Sequence, residues 1–160
     1  ADPRPDDVDI GDIAHALSMM CRFNGHITRF YSVAEHSVLV SRHVPPEFAL
    51  WGLLHDASEA YIADIVRPAK PFIAGYVETE ARIMRAVCAR FGLATDMPSE
   101  VKRVDDAILH DEALALKGHD VGAWHLPQPP LGVFIVGDAP DVAKARFLHR
   151  YAELTSAGER

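Results

Sequence analysis

Apolar positions recur along most of the chain at intervals of three or four residues, the period of an α-helix. Ile10, Ile13, Ala14, Leu17 and Cys21 keep that spacing over residues 10–21. After a polar, aromatic stretch with a turn signal at Asn24-Gly25, Ser32 opens a second helix. Glu35 stands three residues later, the spacing of a capping box, and the helix runs through Val38 and Val40 to about His43. Pro46 suits the first turn of a third helix, which ends near Ala63. Over residues 76–91, Val77, Ala81, Met84, Val87, Cys88 and Phe91 share a face, and Gly92 is a good stop. Residues 98–117 form another helix, and Pro140 starts a last one on Val142, Ala145, Leu148 and Tyr151. The stretch "WHLPQPPLGVFIVGDAP" between them reads as an irregular crossing with one short extended piece at 133–136. The pattern predicts an all-α fold, a single compact bundle of about six helices over residues 1–160, with 1–8 as a frayed terminus.

Composition changes this picture only at the edges. A chain of 160 residues buries about 70% of its unfolded surface around one core. A net charge of −7 argues against a broad DNA- or RNA-binding surface but leaves room for a local basic cluster around a small anion. Cys21 and Cys88 lie in apolar helical patterns without a C-x-x-C, so both read as reduced core residues of a cytoplasmic protein. No signal peptide or membrane-length apolar run is evident, and no membrane partner is expected.

Candidate chemistry enters with "WGLLHDASEAY", residues 51–61, where an apolar helix carries His55, Asp56 and Glu59. Burying three ionisable groups costs several kcal/mol unless a metal ion or hydrogen-bonding partners compensate, and this stretch alone leaves both open. His55 and Asp56 stand about 100° apart on a helix, and Glu59 is four and three residues on, hence on the same side. His36 lies in the first turn of the capped helix. In "VKRVDDAILHDEA", Val101, Val104, Asp105, Ile108 and Glu112 form one stripe. Asp105 therefore faces the core while Asp106 is turned away from it. Glu112 reads as a supporting carboxylate. Arg22 and Arg29 lead toward His36, and Arg67 and Lys70 follow the His-Asp helix, so the four can rim an anion site. His15, His43, His110, His119, His125 and His149 match no motif and read as background.

The extended pattern "SVAEHS…LLHDASEA…VKRVD", together with "DIAHALSMMCRFNGHITRFYSVAEHS" upstream, resembles the HD superfamily of metal-dependent phosphohydrolases. It is most similar to the small bacterial 5′-deoxynucleotidase-like branch and its phage relatives that hydrolyse dATP. The resemblance implies an HD-domain bundle with one divalent metal ion held by His36, His55, Asp56 and Asp105. Mn, Co, Zn, Fe, Ni and Mg are the candidates, and the donor set favours a transition metal. It implies Glu59 as the acid/base group, with Arg22 and Asp64 as substrate contacts and Phe23 standing where the nucleotidases carry an aromatic residue. His26, Arg29, Arg67 and Lys70 are further candidate contacts. The family's later substrate-binding glutamate has no clear counterpart, so base and phosphate number stay open.

The expected activity is metal-dependent phosphomonoester hydrolysis of a (deoxy)nucleotide, with a small-molecule nucleotide as partner and no polymeric nucleic acid. The alternatives are a triphosphohydrolase releasing tripolyphosphate and a nucleotide-sensing module without turnover. The resemblance also implies a homo-oligomer, a dimer or higher.

Overall fold

Asp9 and Ser32 start the first two long helices by the same device. Asp9 Oδ1 accepts from the N–H groups of Gly11 and Asp12 at the head of α1 (Ile10–Met19). Ser32 Oγ accepts from Glu35 N–H at the head of α2 (Val33–His43). Each oxygen satisfies donors that a first helical turn leaves without an intrahelical partner. α3 (Ala49–Leu54) and α4 (Glu59–Ile62) follow, then α5 (Tyr76–Phe91), α6 (Ser99–Leu116) and α7 (Pro140–Ser156). These elements come from a computed structural model that describes residues 2–117 and 126–156. His119 and His125 lie outside the described residues. Among those described there is no strand, only an isolated bridge between Cys21 and Ser32. The fold is an all-helical bundle, as the periodicity predicts.

α2 is its central helix and packs against α1, α3, α6 and α7. One side of the core gathers Ile13, Leu17, Val38, Leu53, Val87 and Phe147. Val40, Trp51, Cys88, Val101, Val104 and Ile108 fill the other side. Gly52 makes the α2–α3 contact possible, because a Cβ there would stand 3.1 Å from Ser41 Cα and 3.2 Å from Val44 Cγ2. A polar side chain in the first turn of α2 is therefore surrounded by helices on all sides. His36 occupies that place and is fully buried.

Several expectations from the pattern are corrected. The third helix is not continuous: between α3 and α4 the chain tightens into i→i+3 bonds, with Ala57 N–H on Leu54 O and Glu59 N–H on Asp56 O. Glu35 does not close a capping box. Its carboxylate accepts instead from the N–H groups of Val136 (3.0 Å), Gly137 (3.1 Å) and Asp138 (2.7 Å), three donors that would otherwise go unpaired in the crossing. Residues 133–136 form no strand, since their backbone is met by side chains rather than by a second strand. On α5, Val77 and Ala81 are exposed, and Ile83 and Val87 take the core side. On α7, Ala143 and Phe147 are buried while Val142 and Ala145 face outward. Residues 5–8 are not frayed: Pro5–Asp7 makes a 3₁₀ turn, and buried Val8 accepts from Arg90 Nε through its carbonyl. No helix among the described residues is long and apolar enough to cross a membrane.

The Glu35 clamp yields a measurable expectation. Glu35→Ala removes the acceptor for three N–H groups, each costing about 1–3 kcal/mol if left buried and unpaired. A loss of about 2–4 kcal/mol in urea unfolding is expected, with faster amide exchange confined to residues 136–138. Wild-type stability in this variant would show that the segment finds other partners.

Candidate metal centre and its cleft

The break between α3 and α4 sets the site. His55 sits at the end of α3, and its Nδ1–H donates to Gly52 O at 2.8 Å, which makes Nε2 the lone-pair nitrogen of the neutral ring. His36 Nδ1–H donates to Glu112 Oε1 at 2.6 Å, which frees its Nε2 in the same way. The two Nε2 atoms face each other 3.2 Å apart. Asp56 Oδ2 lies 3.3 Å from His55 Nε2 and 3.9 Å from His36 Nε2. Asp105 Oδ1 lies 3.3 Å from His36 Nε2. Lone pairs converge here with no donor between them, so the cluster calls for a proton or a cation. Burial and the Arg22 charge act to lower the pKa of His36, but Glu112 and Asp105 outweigh them and raise it to about 9.

Three of these four separations, 3.2, 3.3 and 3.3 Å, fall in the range that a shared metal ion imposes, and the fourth, 3.9 Å, is wider. Ligand atoms about 2.0–2.1 Å from a divalent ion, in tetrahedral or adjacent octahedral positions, stand about 2.9–3.4 Å from one another. His36, His55 and Asp56 form a group that could hold such an ion, their ligand atoms all lying within 4.8 Å of one another. Asp105 reaches the group through His36, while its other oxygen is bound by Arg67. Burial acts against the ionised Asp105, but His36, His55 and Arg67 hold its pKa well below the usual carboxylate range.

Glu112, on the α6 stripe, ties this centre to the basic residues. It is fully buried and accepts from His36 and from Tyr31 OH (2.8 Å) on Oε1, and from Arg22 Nη2 (2.9 Å) on Oε2. Its pKa is lowered despite burial by the Arg22 and His36 charges. Arg22 Nη1 in turn lies 3.6 Å from Asp56 Oδ2. The sequence marked Glu112 by its stripe but could not show that it bridges His36 and Arg22.

A cleft of about 510 Å³ opens beside the centre, of a size suited to a small ligand. Asp56, Glu59, Asp64 and Asp105 line it with Arg22, Phe23, His26, Arg67 and Lys70, while His36 and His55 lie behind its wall, so all but one of the expected substrate contacts meet there. Arg29 is the exception: its Nη2 donates to Ile135 O at 2.9 Å and its side chain braces the crossing at Gly137, away from the cleft. Arg67 is held by Asp105 and Asp106, so Asp106, read as turned away, is engaged too. Lys70 pairs with Glu80 at 2.7 Å and stands 3.5 Å from Glu59. Lys117, at the end of α6, also lines the cleft with its ammonium 4.6 Å from the Phe23 ring centre, and nothing in the sequence singled it out.

Two details bear on reactivity. Burial, reinforced by the charges of Asp56 and Asp64, raises the pKa of Glu59 to about 10, so its carboxyl holds a proton at neutral pH. Its Oε2 is buried without a hydrogen-bond partner among the described residues. Ala63 has φ 82° and ψ 154°, a region essentially reserved for glycine, and the next residue is Asp64. Tyr76 OH donates to the Ala63 carbonyl at 2.9 Å and secures that turn.

Removing Glu112 tests how far the centre depends on it. Glu112→Leu leaves His36 Nδ1–H, Tyr31 OH and the Arg22 charge without their shared acceptor, for an expected loss of about 3–5 kcal/mol in chemical unfolding. Stability within about 1 kcal/mol of wild type would mean that those three groups re-pair without it.

No family model matches the chain. The uncharacterized protein YfdR of Escherichia coli is 39% identical over 153 residues, covering 94% of this chain and 86% of YfdR. An uncharacterized protein of Rhodobacter capsulatus is 43% identical over 112 residues, covering 64% of this chain and 57% of that relative. With that identity sustained over nearly its whole length, the chain belongs to the family of YfdR.

Proposed function

We propose that this chain is a metal-dependent phosphohydrolase of the HD type, acting on a (deoxy)nucleotide as a phosphomonoesterase. The observation that carries the reading is the pair of Nε2 atoms 3.2 Å apart beside Asp56 and Asp105, at the edge of a cleft that holds both Arg22 and Glu59. Two imidazoles with two carboxylates suit a transition ion better than Mg. When bound by His36, His55, Asp56 and Asp105, such an ion supplies Lewis acidity toward a phosphoryl oxygen and an acidified water.

The chain's own groups do the rest. Arg22, fixed by Glu112 on one side, presents its remaining nitrogen toward the phosphate charge. Asp64 offers its carboxylate to a sugar hydroxyl from the turn that Tyr76 secures. Phe23 and His26 stand on the cleft wall beside the nucleoside. As the bond from water oxygen to phosphorus forms and the ester bond breaks, Glu59 gives its proton to the leaving oxygen. The attacking water's released proton restores the Glu59 carboxyl, and the products are the nucleoside and inorganic phosphate. Free Cys21 and Cys88 fit a cytoplasmic enzyme.

A screen of deoxy- and ribonucleoside mono- and triphosphates with added Mn, Co, Zn, Fe, Ni or Mg should release inorganic phosphate from a monophosphate. Tripolyphosphate from a triphosphate would instead select the triphosphohydrolase, and tight nucleotide binding without product would select the sensing module. His55→Ala is expected to lose metal and turnover while keeping its helicity. Glu59→Gln should keep metal and lose about 10²–10⁴-fold in rate. Full activity in His55→Ala without bound metal would refute the centre.

A further inference from the structure

The same centre opens on a second side. Behind the partition made by Arg67 and Lys70 lies a groove of about 430 Å³, bounded by α5, the end of α3, the residues before α6 and α6 itself. Asp56, Arg67, Lys70 and Asp105 line both spaces, whereas Glu59, Asp64 and Arg22 line only the front cleft. The rear groove adds two cations of its own, Arg85 and Lys102. Lys102 is paired with Asp106. Arg85 makes no hydrogen bond or ion pair among the described residues, so its charge has no carboxylate partner there. Two carboxylates beyond the centre, Glu80 and Asp96, also face the groove, and Glu80 is already engaged by Lys70.

We infer that this rear groove is an oxyanion site through which inorganic phosphate leaves. The inference rests on the phosphohydrolase reading. In an in-line displacement the attacking oxygen enters opposite the leaving group, so phosphorus moves away from the nucleoside as the new bond forms. With the nucleoside against Asp64 and Phe23, the product phosphate is left at the Asp56–Asp105 end, where the nucleoside obstructs the front. Arg67 and Lys70 reach the anion from either space, and the Arg67 side chain is 47% exposed, which leaves it room to exchange Asp105 for phosphate. Arg85 is then the next cation on the path. Arg67, Lys70, Arg85 and Lys102 match in number the carboxylates Asp56, Glu80, Asp96 and Asp105 of the groove, so on a chain whose net charge is −7 the groove is locally neutral and Arg85 is the charge left to an anion. In this route phosphate and nucleoside depart from opposite sides, so neither waits for the other.

Two variants outside the front cleft test it, Arg85→Glu to reverse the free charge and Ala81→Trp to narrow the groove at an exposed position. Inorganic phosphate titrated calorimetrically into the full chain as purified should bind wild type and weaken about fivefold or more in Arg85→Glu. Absence of binding to wild type, or equal binding by both, overturns the groove as an oxyanion site. With a nucleotide that wild type hydrolyses, Ala81→Trp should show a burst of nucleoside, a lowered kcat and an unchanged kcat/KM, because release of phosphate has become slow. An unchanged kcat without a burst overturns the exit role. A wild-type chain that hydrolyses no nucleotide overturns the phosphohydrolase reading and the exit role with it. The calorimetric comparison decides the oxyanion site in either case.

Discussion

The rest of the site depends on one buried carboxylate. Glu112 carries a negative charge in a fully enclosed position, which is tolerable only because four donor contacts converge on it: His36 Nδ1–H, Tyr31 OH and two nitrogens of Arg22. Those bonds fix the ring of His36 with Nε2 outward and hold Arg22 against the cleft. A histidine held by a carboxylate on its far nitrogen is the arrangement that sets tautomer and orientation in metal sites. In the proposed reading, phosphate recognition and metal ligation would share this one anchor.

The second constraint is the break in the His-Asp helix. An unbroken α-helix would set His55 and Asp56 about 100° apart with Glu59 one turn on between them, and with side chains leaning toward the N-terminus. Tightening into i→i+3 bonds winds this stretch more sharply. The chain then stops at Ala63 in a conformation that only the surrounding bonds sustain, with Glu59 O accepting from Ala63 N–H and Tyr76 OH donating to Ala63 O. The strain is local to the turn that delivers Asp64 to the cleft wall.

Charge is distributed in the same economical way. The chain is acidic overall, yet the cations near the centre are held between carboxylates: Arg67 by Asp105 and Asp106, and Lys70 by Glu80 with Glu59 nearby. Each pair keeps a cation close to the centre without leaving it bare, and each cation faces two spaces. Glu59 stays protonated beside them because burial and the neighbouring Asp56 and Asp64 charges penalise a further negative charge more than Lys70 compensates for it.

The sequence by itself determined most of the helices, the Ser32 cap and the α6 stripe that buries Asp105 and Glu112. These follow from periodicity and local hydrogen bonding, which act over a few residues and are written in the spacing. What only the tertiary structure decided are the long-range partners. Glu35 left its expected cap for the N–H groups of residues 136–138, Arg29 went to Ile135 rather than to the cleft, and Val77 and Ala81 stayed outside the core. The choice of Glu112 as the partner of both His36 and Arg22 belongs with them, as do the tightened turn at 55–58 and the rear groove. Glu35, Arg29 and Glu112 each took the partners that the packed helices brought within about 3 Å, and no local spacing encodes that distance.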